Sequence, residues 1–239
     1  MTFTNLLNLI LVRFKRQIIK IRSKSVREND WVMDVCRLHA SQRVGVIVDI
    51  GPNCGQTTKR LARAFPSFSI HCLEPNADLH DKILNRVHFH KKLTIHKLGA
   101  GAKDEELSFY KSTKHESNSF LKDWSHRHGD PIPEEIVPVC RIDAFCAKHG
   151  IDTISVLKTN AEGFDFQILQ GASSLLEQKK IFCVLVEVSF GSLGEESARP
   201  GDFLNFMETY GYQFVGLYET ARHKSGGIKW GNMLFISPA

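Results

Sequence analysis

From residue 44 onward, short apolar runs alternate with amphipathic segments, and this alternation restricts the folds that the chain can adopt. The run at 44–50, V-G-V-I-V-D-I, is almost continuously apolar and leads into the glycine-containing turn at 51–55. Residues 57–65 then show helical periodicity and stop before Pro66. A buried strand, a loop and a helix therefore follow one another. Repeats of this unit predict an α/β fold with parallel strands and right-handed crossovers.

Further apolar runs extend the pattern, and we expect strands at 68–73, 93–98, 154–159 and 181–188. The segment 164–176 places apolar side chains on one helical face, and a last helix is predicted at 202–210. The terminal runs 212–218 and 232–236 are joined by a glycine-containing connection, so we expect them to pair as a hairpin at the sheet edge. Residues 136–142 alternate weakly, which predicts an accessory strand.

Composition restricts the class of protein further. The chain has 239 residues, of which 42% are hydrophobic and 24% are charged, a balance typical of one globular domain. Intrinsic disorder, collagen-like repeats and a disulfide-stapled mini-protein each need a far more biased composition and are excluded. The six cysteines form no CxxC pair and favour a reducing, cytoplasmic location. Two H-x-H pairs lack cysteine or carboxylate partners at zinc-ligand spacing, so we expect no metal site.

The basic charge of the chain is concentrated near its start. Residues 1–27 carry seven lysines and arginines and no acidic residue, whereas the rest of the chain is slightly acidic. A nucleic-acid partner is therefore not expected. One helical face of the segment is apolar and consists of Leu7, Leu11, Phe14, Ile18 and Ile21. We predict an N-terminal helical arm at 1–43 and a main domain at 44–239.

The basic amphipathic arm has two interpretations. It packs on its own domain or on a partner subunit, which leaves a homo-oligomer open, or it lies on an anionic membrane surface. We favour packing; the second interpretation places the protein peripherally at the inner membrane surface. The apolar run at 6–12 is too short to cross a bilayer, and the charges follow it rather than precede it, unlike those of a signal peptide.

A long polar stretch at 111–135 interrupts the alternating pattern. It is rich in Ser, His, Lys and Asp and has no sustained periodicity. Irregular segments of this length inside a compact domain usually carry function. We therefore expect a lid or substrate-facing loop here, with an inert insertion as the alternative.

Polar residues stand where the predicted strands end, at Asp49, Glu74, Asn160, Glu162 and Glu187. In an open parallel sheet, ligands bind at the carboxyl ends of the strands, so these side chains are expected around one site. Glu74 follows Gly51 by 23 positions, the spacing at which an acid on the second strand binds ribose hydroxyls. The first loop has neither GxGxxG nor GK[ST], which argues against a pyrophosphate or triphosphate. A nucleoside without phosphates remains, and S-adenosylmethionine is the leading candidate.

Several motifs together resemble the FkbM family of S-adenosylmethionine-dependent methyltransferases. They are D-I-G-P-N-C-G at 49–55, L-E-P-N at 73–76, the Gly99-Ala100-Gly101 turn, V-L-K-T-N-A-E-G-F-D-F-Q-I-L-Q-G-A at 156–172 and L-V-E-V at 185–188. The resemblance spans about residues 44–236. It implies a class I methyltransferase, Rossmann-like fold with a mostly parallel seven-stranded sheet, flanking helices and a reversed last strand. It also implies O-methylation of a hydroxyl on a sugar, glycan or secondary metabolite.

The resemblance also assigns roles to individual residues. Asp49, Gly51, Asn53 and Gly55 would hold the methionine part of the cofactor, Glu74 its ribose, and Ala100 would lie near the adenine. The remaining expected cofactor-binding residues are Pro52, Pro75, Asn76 and Gly99. The chain departs from the family pattern twice: Pro52 replaces the usual Ala, and Asn160 replaces the usual Asp. The second departure argues against a charge-dependent role at that strand end.

Candidates for proton transfer stand at the ends of the later strands. Glu162 and Glu187 are expected side by side, which would raise the pKa of one of them and make it a usable base, unless they only bind loop amides. Asn160 and His115 complete the catalytic candidates, and His115 is the weaker one. A small molecule or glycan is the expected methyl acceptor. A non-catalytic nucleoside-binding paralogue and a nicotinamide-dependent oxidoreductase remain as alternatives.

Overall fold

The computed structural model of the protein describes residues 30–39, 44–112, 118–122, 131–191 and 197–238. Its strands are β1 (Val46–Ile50), β2 (Ser69–Leu73), β3 (Leu93–His96), β4 (Gly99–Ala100), β5 (Glu105–Ser112), β6 (Pro131–Cys140), β7 (Ile154–Thr159), β8 (Ile181–Ser189), β9 (Gln213–Arg222) and β10 (Ile228–Ile236). Seven of them form the central sheet in the order β3-β2-β1-β7-β8-β10-β9. Every pairing is parallel except those of β10, which runs antiparallel to β8 and β9. The predicted seven-stranded sheet with a reversed last strand is confirmed.

Helices cover both faces of this sheet. They are α1 (Trp31–Leu38), α2 (Gln56–Ala64), α3 (His80–Val87), α4 (Ile142–His149), α5 (Asp165–Gln170), α6 (Ser173–Glu177) and α7 (Pro200–Thr209), with a 3-10 turn at Ala77–Leu79. Successive strand residues point to opposite faces. Ile47 thus packs in the cluster formed by α1, α2 and α3, and Val48 packs in the cluster formed by α4 to α7. Both faces of the sheet are buried, which is why its central strands read as continuous apolar runs.

The end of the predicted N-terminal arm packs against the domain. Trp31 and Val35 of α1 are fully buried in the cluster that contains Ile47 and Leu61. Asp30 caps the helix by accepting a hydrogen bond from the Val32 amide at 3.0 Å. The apolar stripe of the arm lies at 1–29, outside the described residues, so its packing and membrane contact stay predictions. Within the described residues, no helix is both long and apolar enough to cross a membrane.

A second sheet corrects part of the predicted loop at 111–135. β5 continues to Ser112 and β6 already begins at Pro131, and the two strands pair antiparallel. The predicted accessory strand therefore exists but begins earlier. After β3 the chain leaves the central sheet, and the short strand β4 pairs with β6 in the second sheet. The strand predicted at 93–98 therefore ends at His96. The rest of the predicted lid, 113–117 and 123–130, lies outside the described residues.

The helix predicted at 164–176 is two short helices, α5 and α6, separated at Gly171. The chain passes so close to Gly101 that a Cβ on Gly171 would lie 2.0 Å from the Gly101 carbonyl oxygen. The Gly171 carbonyl accepts a hydrogen bond from the Asp143 amide at 3.0 Å. The Asp143 carboxylate in turn accepts hydrogen bonds from the first amides of α6, those of Ser174 and Leu175, both at 3.0 Å. This tertiary capping ends one helix and starts the next.

The two terminal strands form the predicted hairpin, and both are longer than the apolar runs that indicated them. β10 lies between β8 and β9, so of the two hairpin strands only β9 lies at a sheet edge, and β3 forms the opposite edge. The pairing of β9 with β10 shifts register between Trp230 and Asn232, whose partners are Ala221 and Tyr218. Two residues of β9, Glu219 and Thr220, thus face the single residue Gly231. Such a bulge redirects the side chains of the longer strand.

Candidate functional site

The carboxyl ends of the central strands open into one cavity of about 760 Å³. This volume lies in the range of small-molecule sites. The cavity spans the point between β1 and β7 where the strand order reverses, the usual ligand position in open α/β sheets. Of the predicted site residues, the following line it: Gly51, Pro52, Asn53, Glu74, Pro75, Gly99, Ala100, Asn160, Glu162 and Glu187.

Three residues predicted to bind the cofactor do not line the cavity. Asp49 is fully buried beneath it, where it accepts a hydrogen bond from the Thr58 hydroxyl at 2.6 Å. Gly55 begins α2 with φ +78°, and a Cβ there would lie 3.3 Å from the Cα of Ile83. Asn76 is buried and its side chain caps the 3-10 turn through the Asp78 amide at 3.1 Å. These residues shape the loops that reach the cavity. His115 lies outside the described residues.

The first loop reaches the cavity through two residues with left-handed backbone. Gly51 has φ +63°, and a Cβ there would lie 2.0 Å from the carbonyl oxygen of Asn160. Only glycine fits this crossing between the ends of β1 and β7. Asn53 has φ +52°, a conformation that Asn tolerates better than most residues. The Asn53 side chain accepts a hydrogen bond from the Cys54 amide at 2.7 Å, which fixes the turn.

Glu74 is a buried carboxylate at the end of β2, with only 4% of its surface exposed. Its two oxygens accept hydrogen bonds from the amides of Asn53 at 3.1 Å and Asn76 at 3.0 Å. Burial raises the pKa of Glu74 to about 7, although these two amides oppose the shift. Each oxygen keeps a lone pair for a further donor. The side chain is therefore suited to accept hydrogen bonds from ligand hydroxyls.

Lys158 joins the central strands beneath the cavity. Its ammonium group lies 2.9 Å from Asp49 Oδ1 and donates hydrogen bonds to the carbonyls of Ile50 at 3.2 Å and Gly51 at 2.8 Å. Both charged side chains are almost fully buried, at 5% and 0% exposure. A buried charge pair with such additional hydrogen bonds is costly to break from one side. Lys158 thus holds the first loop in place against β7.

Glu187 and Asn160 form a polar pair at the ends of β8 and β7. The Asn160 amide donates a hydrogen bond to Glu187 Oε2 at 2.9 Å. Burial, and after it the carboxylate of Asp165, raises the pKa of Glu187 to about 7. The expected rise in pKa is therefore present, but the carboxylates that contribute to it are those of Asp165 and Glu219 rather than that of Glu162. The Oδ1 of Asn160 is buried and has no hydrogen-bond partner among the described residues.

Glu162 lies beside this pair in a strained turn. Its φ is +49°, and its carbonyl oxygen accepts a hydrogen bond from the Ser119 hydroxyl at 2.9 Å. Four non-glycine residues in the described part of the chain have positive φ, and three of them line the cavity: Asn53, Glu162 and Glu219. Backbone strain of this kind clusters at functional sites.

One end of the cavity was not predicted from the sequence. We call it the hairpin end; it is formed by Glu219, His223, Lys229, Trp230 and Asn232. Trp31 of α1 also lines the cavity. No local motif marks these residues, because long-range pairing of β10 with β8 brings them to the site. Lys158 was not predicted as a site residue either, although its place in the K-T-N-A-E-G motif could have indicated it.

A family model describes most of this chain. The model of the FkbM methyltransferase domain matches residues 49–214. The chain belongs to the FkbM methyltransferase family. The FkbM match includes the first loop, Glu74, Lys158, Asn160 and Glu187, and it ends before the hairpin end of the cavity. Methyl transfer, the activity expected from the sequence, is the activity of this family.

The chain also has distant similarity to solved structures of three methyltransferases. The chain is 10% identical to a TehB-like SAM-dependent methyltransferase from Corynebacterium glutamicum, with 95% of this chain and 99% of that chain covered and a TM-score of 0.40. It is 12% identical to a precorrin-6y C5,15-methyltransferase from Geobacter metallireducens, covering 89% and 88% with a TM-score of 0.44. It is 10% identical to an rRNA methylase from Streptococcus thermophilus, covering 85% and 94% with a TM-score of 0.47. No curated protein sequence matches the chain significantly.

Proposed function

We propose that the protein transfers a methyl group from S-adenosylmethionine to a hydroxyl oxygen of a small molecule or glycan, with Glu187 as the general base. The observation that carries the proposal is that Glu187, whose pKa is raised to about 7, lines the same cavity as the buried carboxylate Glu74. A base is most effective when its pKa lies near the working pH. Alcohol oxygens need such a base, because their proton must leave during the reaction.

The end of the cavity formed by Gly51, Asn53 and Glu74, which we call the first-loop end, fits a nucleoside cofactor without phosphates. Glu74 offers free lone pairs to ribose hydroxyls, and Gly51 and Asn53 bring the loop backbone to the cavity wall. The cation nearest this end, Lys158, is already paired with Asp49. A pyrophosphate at this end would therefore meet the Glu74 carboxylate and an already paired Lys158, since the other lysine of the described lining, Lys229, belongs to the hairpin end. A positively charged sulfonium meets no such obstacle.

Glu74 and the loop backbone at Gly51 and Asn53 would hold S-adenosylmethionine, which would supply an electrophilic methyl group, with an oxygen–carbon bond forming as the carbon–sulfur bond breaks. The proton of the acceptor hydroxyl passes to a carboxylate oxygen of Glu187, and S-adenosylhomocysteine and the methyl ether are the products. Asn160 holds Glu187 in place through its amide and, unlike the usual Asp, adds no second negative charge beside the base. The chain contributes mainly by aligning the acceptor oxygen and by taking up its proton.

The proposal is tested by incubating the full chain with methyl-labelled S-adenosylmethionine and fractionated glycans, lipids and small metabolites, and by identifying the labelled product. We expect a methyl ether. Glu187→Gln keeps the shape of the side chain but cannot take up the proton, so turnover should fall by roughly 10²- to 10⁴-fold. Binding of S-adenosylhomocysteine should be unchanged in this variant.

Two outcomes would contradict the proposal. A labelled product methylated on nitrogen or carbon would exclude a hydroxyl acceptor. Undiminished turnover by Glu187→Gln would remove that residue from proton transfer. A protein that binds the cofactor but labels no fraction would instead favour the non-catalytic paralogue.

A further inference from the structure

The wall of the cavity beyond Glu187 comes from the two ends of the described chain. Trp31 belongs to α1, and Glu219, Lys229, Trp230 and Asn232 belong to the terminal hairpin. All five lie outside the family match at 49–214. The family match contains the first loop and the proposed base. The remaining wall therefore faces the space beside them, where the methyl acceptor would bind.

Arg60 of α2 connects these two segments. Its guanidinium donates a hydrogen bond to Asp30, the cap of α1, at 2.8 Å and another to Glu219 of β9. It also lies 4.9 Å from the centre of the Trp31 ring, in cation–π geometry. A second link joins the Tyr218 hydroxyl to Asp34 Oδ2 at 2.7 Å. The helix and the hairpin are thereby fixed to each other at the cavity.

The bulge in β9 sets the position of Glu219. This residue has φ +50°, and the extra residue of the bulge sits over Gly231, where a Cβ would lie 3.0 Å from Leu217 and 3.1 Å from Thr220. Asn232 donates a hydrogen bond to Glu219 Oε2 at 3.5 Å. A strained backbone that presents a carboxylate to a cavity is a feature of binding sites rather than of ordinary strands.

Trp31 adds an unsatisfied donor to this wall. Its side chain is 1% exposed, and its Nε1–H finds no hydrogen-bond acceptor among the residues that the structure describes. A buried polar group left without a partner costs about 1–3 kcal/mol. A bound molecule that carries an oxygen near the indole would remove this cost.

The charged side chains of this part of the cavity are mainly acidic. Three carboxylates, those of Glu162, Glu187 and Glu219, line this part of the cavity, against the single ammonium group of Lys229 among the described residues. Arg60 does not reverse the balance, because it is shared between Asp30 and Glu219. An anionic ligand would be repelled by these carboxylates, and the repulsion is strong in a site that is partly shielded from water.

We propose that Trp31, Glu219, Trp230 and Asn232 form the wall that selects the methyl acceptor, and that it admits a neutral hydroxyl-bearing molecule and rejects an anionic one. The proposal rests on the proposed function, since it assumes that the cofactor occupies the first-loop end. Carboxylate and amide oxygens accept hydrogen bonds from hydroxyls, and the Trp230 ring offers an apolar face beside them. Arg60 is a positioning residue that acts through Trp31 and Glu219.

The test compares two probes that differ in one group: methyl α-D-glucopyranoside, and the glucuronide in which its CH₂OH is a carboxylate. They are titrated into the full chain loaded with S-adenosylhomocysteine, and the indole N–H signals are followed by NMR. Tryptophan-to-phenylalanine variants assign the signals. We expect the neutral probe to shift the Trp31 and Trp230 signals saturably and the glucuronide to bind at least roughly tenfold more weakly.

Variants separate charge from structure. Glu219→Gln should reduce the preference for the neutral probe, so that its affinity and that of the glucuronide become more similar. Asp152→Asn, which removes a 91% exposed carboxylate outside the cavity lining, should leave this preference unchanged. Trp31→Phe keeps an aromatic side chain, although a smaller one, and removes the N–H donor, so the neutral probe should bind roughly threefold to tenfold more weakly. Arg60→Met should weaken probe binding while the affinity for S-adenosylhomocysteine, measured by calorimetry, stays that of the native chain.

The outcomes distinguish this inference from the function on which it rests. If S-adenosylhomocysteine does not bind, the proposed function fails. If it binds, but neither indole signal moves or the glucuronide binds as tightly as the neutral probe, the wall is not the selective element and only this inference is overturned.

Discussion

At the residue scale, the site depends on two carboxyl groups whose pKa values are raised by burial. Glu74 and Glu187 both have a pKa of about 7, yet their neighbours differ. Backbone amides bind Glu74, as suits a fixed hydrogen-bond acceptor for a ligand. A side-chain amide binds Glu187, whose pKa is raised by burial and then by the carboxylates of Asp165 and Glu219. These different neighbours agree with the different roles that we propose for the two groups.

The raised pKa of Glu74 predicts that cofactor affinity depends on pH. Ribose hydroxyls donate hydrogen bonds to the ionised carboxylate, so binding favours the charged form, and affinity should fall as pH drops below about 7. We expect the Kd of S-adenosylhomocysteine to be roughly tenfold larger at pH 6 than at pH 8. Calorimetry at several pH values measures it. Glu74→Gln should bind weakly with little pH dependence, and an unchanged pH dependence in this variant would assign the effect to another group.

Asn160→Asp tests the departure from the family pattern. The new carboxylate would face Glu187 at the position of the present hydrogen bond and raise the pKa of that base above 7. The acid limb of the pH–rate profile should move to higher pH, with about a tenfold loss of turnover at pH 7 that is recovered under more alkaline conditions. Higher turnover than the native chain at pH 7 would show instead that Asn160 limits the chemistry.

At the element scale, β2 and β3 carry a pH-sensitive histidine cluster away from the cavity. His71 of β2 and His96 of β3 lie with ring nitrogens 3.2 Å apart, and His149 at the end of α4 packs on both. Burial, together with the neighbouring histidines, lowers the pKa of His96 to about 4 and lowers the pKa of His71. The folded state therefore favours neutral imidazoles at this edge of the sheet.

Stability should consequently fall on acidification. Because the pKa of both groups is lower in the folded state, the unfolded chain binds more protons, and stability is lost as pH falls from about 6.5 toward 4. Thermal melts between pH 7.5 and pH 5 measure the change in Tm. His96→Gln should reduce the pH dependence of Tm, whereas His88→Gln, at an exposed residue outside the cluster, should not. Equal slopes for both variants would contradict this role of the cluster.

Elements with continuous apolar runs could be predicted from the sequence, and those set by tertiary contacts could not. β1, β2, β7 and β8 are buried on both faces, so their composition alone identifies them. The break between α5 and α6 depends on the approach of Gly171 to Gly101, which no local pattern records. In the ribbon of β5 and β6, weak alternation marked only residues 136–142, and β5, which is rich in polar residues, was not predicted.

At the scale of the whole molecule, the predictable part of the site is the part that lies close to sequence motifs. The first loop, Glu74 and the Asn160–Glu187 pair stand directly at strand ends, where topology alone brings them together. The opposite wall requires the helix before the family domain and the hairpin after it, whose meeting at Arg60 is a property of the folded chain. The residues that we propose to bind the cofactor could thus be predicted from the sequence, whereas those that we propose to bind the acceptor could not.

The central claim is that the cavity at the carboxyl ends of β1 and β2 binds a nucleoside that carries no phosphate. Isothermal titration of the full chain with S-adenosylhomocysteine, and in parallel with NAD, tests it most directly. We predict saturable one-to-one binding of S-adenosylhomocysteine, weakened by Glu74→Ala in a chain that still folds, and no binding of NAD. Absence of S-adenosylhomocysteine binding up to millimolar concentration, or NAD binding of equal strength, would contradict the account.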